Sequence, residues 1–473
     1  MLREKSKLLI CIAAVIVMAA AVMPPAICFA ADQNAGVQVS RTDEFKVIGY
    51  YCGEQFDVPV EKLQAEKLTH VMYGFLIPTE DGTCKPFQEP EELTKLIETC
   101  HSAGTKVYVS VGGYFDKDGS PLFYIFEKIG ADDGLRTIFV NNIVAVVQQY
   151  GFDGVEMDWE YPRYESSADY EKTILLLSEK LKLLGKGLST ALPGTGSIDG
   201  KNVWEALAGV TDKTIACFDF INLMCYDLKT GPNHSPVWYS KTTINYWKQF
   251  RNVPAEKIVL GMPLYARPSW QQYRFLVEMD RENAYRDYVA TEPLESTYNG
   301  LNTLREKTMI AFREAGGVML FDVNEDTYDD TSAVSMIYDL KWRMMDYSKE
   351  ELKQNISIIL DDRELVLLKE EGYGVPFIDS NNRTLIPLRK PMEAIGAVVS
   401  YDANSRVVTV IKNDITVKVA IGASTINVNG QKVAMDTKAI IKDDRTYIPL
   451  RAIFYAFGYD VQWHGSSRTV IIS

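Results

Sequence analysis

Four carboxylates are crowded into the segment YGFDGVEMDWEYP, residues 150–162. Side chains alternate between the two faces of a β-strand, so Glu156, Asp158 and Glu160 share one face at successive spacings of about 6–7 Å. Like charges buried together raise the pKa of at least one group, which then keeps its proton at neutral pH. A carboxylic acid held neutral in this way is suited to general acid catalysis. The segment therefore predicts an acid–base site.

Short β-rich runs alternate with helical stretches from about Val47 to Asp346. This alternation over some 300 residues predicts an α/β fold, specifically a (β/α)8 TIM barrel, in which active sites lie at the carboxyl ends of the strands. Glu160 is the last acidic residue of its strand and is the candidate general acid. An open doubly wound sheet is the alternative, and the lack of a Gly-rich phosphate turn before a helix disfavours it. The β-rich runs include VIGYY, HVMYGFL, KVYVSVGG, GVEMDW, FINLMCYD, IVLGMPLYAR and GGVMLFD.

A polar stretch at 346–356 is predicted to link the barrel to a smaller α+β domain at 357–473. This domain contains an internal repeat, because five residues recur 62 positions later. The two copies resemble the N-terminal domain of copper amine oxidases, a resemblance that brings no catalytic motif and implies neither copper nor amine oxidation. A passive spacer and a contact with a cell-wall polymer both remain open. The recurring residues are Arg383, Pro387, Arg389, Gly396 and Arg406, repeated as Arg445, Pro449, Arg451, Gly458 and Arg468.

The first 30 residues have the layout of a secretory signal peptide: a basic head, an apolar run at 8–23 and a small-residue pattern ending at Ala30. We therefore expect a secreted, extracellular or surface-associated protein. A retained membrane anchor is the alternative. A lipoprotein at Cys28 is disfavoured by the bulky Ile27 before it.

The composition excludes several classes of function. A formal net charge of −13 disfavours nucleic acid as a partner, because phosphate binding needs clustered Lys and Arg. Five cysteines would follow the cleavage site, an odd number that argues against a disulfide framework. Cys217 and Cys225 are expected on one extended strand, too far apart to bridge. The four histidines have no metal-ligand spacing, so neither a metal site nor a cofactor is expected.

Four motifs in chain order carry a family resemblance. DGVEMDWE at 153–160 resembles Asp-Gly-x-Asp-x-Asp-x-Glu, and SVGG at 110–113 resembles Ser-x-Gly-Gly. MCYD at 224–227 resembles Met-x-Tyr-Asp, and GMPLYAR at 261–267 resembles a strand ending in Tyr-x-Arg. Together they resemble glycoside hydrolase family 18, the chitinase-like enzymes, over residues 46–345.

The resemblance implies hydrolysis of β-1,4 bonds of N-acetylglucosamine polymers with retention, by attack of the substrate's own acetamido oxygen. It implies that Glu160 protonates the glycosidic oxygen, that Asp158 binds the acetamido N–H and that Tyr226 binds the acetamido carbonyl. The supporting residues would be Glu156, Asp153, Ser110 and Tyr50. The substrate-binding residues would be Asp227, Met224, Tyr265, Arg267, Tyr114, Phe75, Phe321 and Gly113.

Three residues depart from the family pattern. Glu156 stands where Asp is usual, and we expect it to crowd Asp158, so that shortening it to Asp would raise the rate. Tyr114 and Phe321 stand where Trp is common, which predicts weaker stacking on sugar rings. The segment between Arg267 and Gly316 is too short for the extra α+β insertion of processive members, which predicts a shallow groove.

The residues leave the substrate open among chitin or chito-oligosaccharides, peptidoglycan and N-glycan cores. A carbohydrate-binding barrel that has lost turnover is the rival from another class. Lectins of the family usually lack the terminal Glu of the signature, whereas Glu160 is present.

Overall fold

The computed structural model describes residues 45–53, 58–197, 204–368 and 371–473. The predicted signal peptide lies outside these ranges. Within them, no helix is both long and apolar enough to cross a membrane.

Eight parallel strands close into a barrel, in the order β1-β11-β7-β6-β5-β4-β3-β2, which confirms the predicted (β/α)8 fold. The strands of this part of the chain are β1 (Lys46–Tyr51), β2 (His70–Leu76), β3 (Lys106–Gly113), β4 (Gly154–Trp159), β5 (Gly187–Pro193), β6 (Phe220–Met224), β7 (Ile258–Pro263), β8 (Arg267–Pro268), β9 (Tyr288–Val289), β10 (Ser296–Thr297) and β11 (Gly317–Phe321).

Helices surround the barrel. They are α1 (Pro90–Ser102), α2 (Phe123–Ala131), α3 (Asp133–Tyr150), α4 (Ser167–Leu183), α5 (Glu205–Ala208), α6 (Asp212–Cys217), α7 (Val237–Asn245), α8 (Tyr273–Met279), α9 (Leu301–Glu314), α10 (Ala333–Met344) and α11 (Lys349–Gln354).

The two faces of β4 separate as the alternation predicts. Trp159 points outward, where its ring stacks on Phe126 of α2 at 4.9 Å and meets Tyr170 of α4 edge-on at 5.4 Å. Glu156 and Asp158 point into the barrel, where they are 0% and 4% exposed. The apolar face therefore anchors the strand to the helices and holds the carboxylates inside.

A small insertion follows β7. Its three short strands form an antiparallel sheet in the order β8-β10-β9. Helix α8 lies between β8 and β9 in the chain. The segment expected to lack an α+β insertion thus contains a reduced one, which places Trp270 and Arg267 beside the barrel mouth.

Two local predictions are corrected. Residues 346–356, predicted as a linker, contain α11, which begins with a capping box at Ser348 and Glu351. Leu352 of this helix is fully buried in the barrel core. Cys217, predicted on a strand, ends α6, because the Thr211 hydroxyl caps that helix by accepting from the Thr214 N–H. All five cysteines in the described ranges are free thiols.

The C-terminal part consists mostly of short strands in three sheets, ordered β13-β12-β24-β23, β14-β15-β22-β21 and β16-β17-β18-β19-β20. The elements are β12 (Ser357–Leu360), β13 (Arg363–Glu364), β14 (Phe377–Ile378), β15 (Thr384–Pro387), α12 (Arg389–Ala394), β16 (Val398–Asp402), β17 (Val407–Lys412), β18 (Ile415–Ala420), β19 (Thr425–Val428), β20 (Gln431–Ala434), β21 (Ile440–Lys442), β22 (Arg445–Pro449), α13 (Leu450–Ala456), β23 (Val461–His464) and β24 (Thr469–Ile472).

Polar contacts join this part to α9 and α10 of the barrel. Glu364 pairs with Arg343 at 2.7 Å and with Arg305 at 3.2 Å. Arg313 donates to the carbonyl of Ser467 at 2.6 Å. The sheet that contains β12, β13, β23 and β24 is therefore docked on the barrel rather than tethered beside it.

Candidate active site

The inward face of β4 leads from the barrel interior to its mouth, and Glu156 is its deepest carboxylate. Tyr50 of β1 donates to one oxygen of Glu156 at 2.5 Å, and Asn222 of β6 donates to the other at 2.6 Å. Burial raises the pKa of Glu156, while Tyr50, Asn222 and Ser110 act in the opposite direction. Burial and the neighbouring carboxylates keep the pKa of Tyr50 well above its usual value, so this hydroxyl stays protonated and donates. Both oxygens of Glu156 are thus occupied.

Asp158 is the next carboxylate toward the mouth. Its Oδ1 is buried without a hydrogen-bond partner. Burial, followed by the charges of Glu160 and Glu156, raises its pKa well above the usual value. A buried, unpartnered oxygen is costly, so Asp158 is prepared to accept a donor from a bound molecule.

Glu160 follows directly after β4 at the mouth. Burial raises its pKa to about 7; the charge of Asp227 adds to this shift, and a hydrogen bond from Tyr161 opposes it. A carboxyl group with this pKa is substantially protonated at neutral pH and can both give and take a proton.

Tyr226 and Asp227 lie just beyond the end of β6, after Cys225. The Tyr265 hydroxyl donates to Asp227 at 2.7 Å, His234 Nδ1 lies 3.2 Å from its other oxygen, and Arg267 Nε lies 3.6 Å away. Burial alone would raise the pKa of Asp227, but these partners outweigh it and lower the pKa. Asp227 is therefore the ionised carboxylate of the site.

Aromatic rings form the floor and walls. Phe321 stacks on Tyr226 with ring centroids 5.9 Å apart and meets Tyr50 edge-on at 5.3 Å. On one wall Trp270 stacks on Tyr265 at 5.5 Å, and the Arg267 guanidinium lies 3.8 Å from the Trp270 ring centre. The cleft has a volume of about 800 Å³, which suits a ligand with apolar ring faces and polar edges.

Most of the predicted site residues meet in this cleft. Ser110 and Glu156 lie buried beneath it, both 0% exposed. Those lining it are Tyr50, Phe75, Gly113, Tyr114, Asp158, Glu160, Met224, Tyr226, Asp227, Tyr265, Arg267 and Phe321.

Asp153 is a correction, because it does not lie in the cleft. It precedes β4 at the opposite end of the strand from Glu160. Its Oδ2 accepts from the backbone N–H of Val107 at 2.8 Å and lies 2.8 Å from His101 Nε2. Asp153 therefore secures the start of β4 and has no contact with the acidic cluster.

Sequence reasoning missed several site residues. Asn222 binds Glu156 but sits within an apolar-looking strand, and Tyr161 follows Glu160 directly. Trp204 and Trp270 line the cleft from loops, and their only signal is that they are large aromatics outside regular elements. Asp322 and Glu325 also line it, and burial raises their pKa values to about 7 and about 10. Within the described ranges, no group of His, Cys, Asp and Glu side chains is arranged to hold a metal ion.

Comparison with known families agrees with this geometry. Residues 46–362 match the model of glycosyl hydrolases family 18. The chain belongs to this family. Residues 369–472 match the copper amine oxidase N-terminal domain, in the predicted order.

Relatives of this family 18 chain include two animal enzymes. An endochitinase of Brugia malayi is 31% identical over 236 residues, 42% of this chain and 44% of the relative. An endochitinase of Manduca sexta is 28% identical over 245 residues, 44% of this chain and 41% of the relative. The chain thus spans less than half the length of either relative.

Solved structures match the barrel. The family 18 chitinase ChiB of Flavobacterium johnsoniae superimposes with a TM-score of 0.55 at 23% identity, covering 64% of this chain and 96% of that one. A family 18 chitinase of Cycas revoluta, solved with (GlcNAc)3, gives a TM-score of 0.55 at 20% identity, covering 63% and 99%. At these identities the likeness establishes the fold.

Proposed function

We propose that this chain is a secreted retaining glycosidase that cleaves β-1,4 bonds of N-acetylglucosamine-containing glycans by substrate-assisted catalysis. The observation that carries the proposal is the meeting of Asp158, Glu160 and Tyr226 in one aromatic cleft, with the pKa of Glu160 raised to about 7. A protonated acid, a buried acceptor and a phenolic donor are the groups that this chemistry needs.

In the first step the Glu160 proton passes to the glycosidic oxygen as the bond to the anomeric carbon breaks. The acetamido oxygen of the sugar attacks that carbon, giving a cyclic oxazolinium with retention on later hydrolysis. Water then opens the ring, and Glu160, now ionised, takes up the proton from the water. The pKa of about 7 lets Glu160 serve in both directions.

Asp158 and Tyr226 hold the acetamido group. The unpartnered Oδ1 of Asp158 accepts the acetamido N–H, and this hydrogen bond stabilises the positive charge that develops on the oxazolinium. The pKa of Tyr226 is raised well above its usual value by burial, so its hydroxyl stays protonated and donates to the acetamido oxygen. Together they align that oxygen for attack.

Within this class we propose chitin or chito-oligosaccharides as substrate. The two relatives described above are named endochitinases, and the Cycas revoluta chitinase of the same fold was solved with (GlcNAc)3. Peptidoglycan and N-glycan cores contain the same N-acetylglucosamine unit and are the alternatives. A non-hydrolytic carbohydrate-binding barrel would not need a protonated acid at position 160.

The test is a panel of chito-oligosaccharides, purified peptidoglycan and a high-mannose glycopeptide, assayed with the wild type and Glu160→Gln. We expect cleavage of the chito-oligosaccharides and a loss of about 10²–10⁴-fold in the variant, with binding retained, because the amide has no acidic proton. Glu165→Gln makes the same change at an exposed position and is the matched control. Retention of more than about a tenth of the rate in Glu160→Gln would exclude Glu160 as the acid.

The C-terminal domain is proposed to contact polysaccharide. Two shallow cavities share Arg451 and Asp436; Tyr455 lines one of them and Trp463 lines the other. Tyr455 is 50% exposed and Trp463 is 39% exposed, so their ring faces are available for stacking on sugars. Passive spacing of the barrel is the alternative.

Co-sedimentation with insoluble chitin and cell walls tests this contact. We expect Trp463→Ala and Tyr455→Ala to reduce binding without changing turnover of soluble substrate. Tyr401→Ala is the control, because Tyr401 occupies the repeat position of Trp463 and is 44% exposed, but lines neither cavity. Equal binding by all three variants would contradict the proposed contact and favour a passive spacer.

Secretion is proposed from the basic head and apolar run of residues 1–30. N-terminal sequencing of the protein recovered from the medium tests it. We expect the mature chain to begin near Ala31.

A further inference from the structure

Helix α9 carries a lysine, Lys307, that is fully buried behind the end of β6. Its Nζ donates to the Ser235 carbonyl at 2.6 Å, the Ser235 hydroxyl at 2.7 Å and the Asn299 side-chain oxygen at 2.5 Å. These three bonds use all three hydrogens of an ammonium group. Burial lowers the pKa of Lys307 to about 7, while Cys225 and Asp287 oppose the shift.

A lysine in this position is expensive for the fold. Replacing a buried charge with an apolar side chain of similar volume is often neutral or stabilising. Lys307 does not line the cleft, so it has no direct role in binding or chemistry. The groups that accept its three hydrogen bonds indicate which part of the fold it holds in place.

The hydrogen bonds of Lys307 connect, through Ser235, to Tyr226 and Asp227, which lie just beyond the end of β6. The Ser235 hydroxyl donates to the carbonyl of Cys225 at 2.6 Å, and the next residue is Tyr226. Ser235 is also preceded by His234, whose Nδ1 lies 3.2 Å from Asp227 Oδ1 and 3.3 Å from the Asp227 backbone nitrogen. One ammonium group therefore holds the loop that fixes both the backbone before Tyr226 and the partner of Asp227.

We propose that Lys307 is a positioning residue that holds Tyr226 and Asp227 in place through Ser235. The inference rests on the proposed function in so far as Tyr226 aligns the acetamido group. Without Lys307, the Ser235 hydroxyl loses its donor and the Ser235 carbonyl keeps only the longer bond from the Asn299 amide at 3.2 Å, so the backbone from Cys225 to Asp227 is held less firmly. Misplacement by about 1 Å is enough to lower a rate by up to 10²-fold.

Lys307→Met tests the proposal, because methionine keeps most of the apolar stem and removes the donor. We expect kcat on chito-oligosaccharides to fall by about 10-fold or more while KM changes by no more than about 3-fold, because alignment for attack is lost rather than the cleft. In a Tyr226→Phe background the same change should cost less than about 3-fold, because both variants remove the same alignment. Thr308→Val is the control: Thr308 is equally buried on α9, but its hydroxyl bonds only to Leu304 of the same helix.

Ser235→Ala removes the bridge to Cys225 and should lower kcat in the same direction; it carries the test where Lys307→Met does not fold. An unchanged kcat in these variants, a full multiplicative loss in the Tyr226→Phe background, or an equal loss in Thr308→Val would overturn the proposal. Crystal structures of the wild type and Lys307→Met give a readout independent of turnover. Displacement of residues 225–227 supports the positioning role even where no glycan of the panel is cleaved, and superimposable backbones refute it.

Discussion

Shortening Glu156 to Asp tests how the acidic strand is built. Both oxygens of Glu156 are hydrogen-bonded, to Tyr50 at 2.5 Å and to Asn222 at 2.6 Å. Removing one methylene withdraws the carboxylate by about 1.5 Å, which places both donors near or beyond about 3.5 Å, where a hydrogen bond is lost. The backbone cannot follow, because Glu156 is paired with Ser110 on one side and Ser189 on the other.

The loss of stability in Glu156→Asp follows from these two hydrogen bonds. Hydrogen bonds to charged groups contribute about 1.5–3 kcal/mol each, so loss of one or both predicts destabilisation by about 1.5–6 kcal/mol. For a domain of this size we expect Tm to fall by roughly 2–9 °C. The structure thus reverses the expectation that the shorter residue raises the rate: we expect kcat/KM on chito-oligosaccharides to fall about 10-fold or more, equivalent to about 1.4 kcal/mol of transition-state stabilisation.

The lost hydrogen bonds also predict the direction in which the pH profile of kcat/KM shifts in Glu156→Asp. Hydrogen bonds from Tyr50 and Asn222 oppose the burial that raises the pKa of Glu156. An Asp that loses these bonds has a higher pKa and keeps its proton to higher pH, so the acidic limb of kcat/KM should move upward in pH. Ser189→Ala is the control, because the Ser189 hydroxyl is equally buried and has no hydrogen-bond partner. A faster Glu156→Asp enzyme, or pH profiles that superimpose, would refute this reasoning.

Three further predictions follow from the site and the domain contacts. Burial raises the folded-state pKa of Glu160 to about 7, so the wild type loses stability as pH rises from about 4.5 through 7. Glu160→Gln, which cannot ionise, should be more stable by about 3 kcal/mol at pH 8 and equal at pH 4, measured by urea unfolding. Cellulose oligomers should not be cleaved, because they lack the acetamido nucleophile; glucose release on chromatography would remove the substrate-assisted mechanism. Deletion of residues 369–473 should preserve turnover of soluble substrates. Deletion of residues 350–473 should lower Tm, because it removes the buried Leu352 and leaves Arg305 and Arg343 without Glu364. Equal Tm values for the two truncations would contradict this prediction.

The fold was predictable because seven of the eight barrel strands carry their own local signal, and only β5, with the weakly β-forming sequence GLSTALP, was not among the named runs. Alternation along β4 placed Glu156 and Asp158 inside and Trp159 outside, and this depends only on strand geometry. The order of the motifs then brought the ends of β3, β4, β6 and β7 to one mouth. The family match over residues 46–362 agrees with that inference.

Partners across the barrel were not predictable in the same way. Asn222 bonds to Glu156 from 66 positions away, and the contact exists only because the sheet closes. Asp153 shows the converse error: it belongs to the same acidic motif, but it precedes the strand and is used by β3 and α1 instead. Proximity in the sequence could not distinguish the two ends of the strand.

The three inward carboxylates of the motif differ because they lie at different depths. Glu156 is deepest and receives two hydrogen-bond donors, which oppose the rise in its pKa that burial causes. Asp158 has an unpartnered oxygen and a carboxyl group on each side, which makes it the group most in need of a bound donor. Glu160, at the mouth, is raised to a pKa of about 7 by burial and by Asp227 across the cleft. A single face of one strand therefore supplies a carboxyl group fixed by two hydrogen bonds, an acceptor for the substrate and an exchangeable proton, in that order from the interior to the cleft.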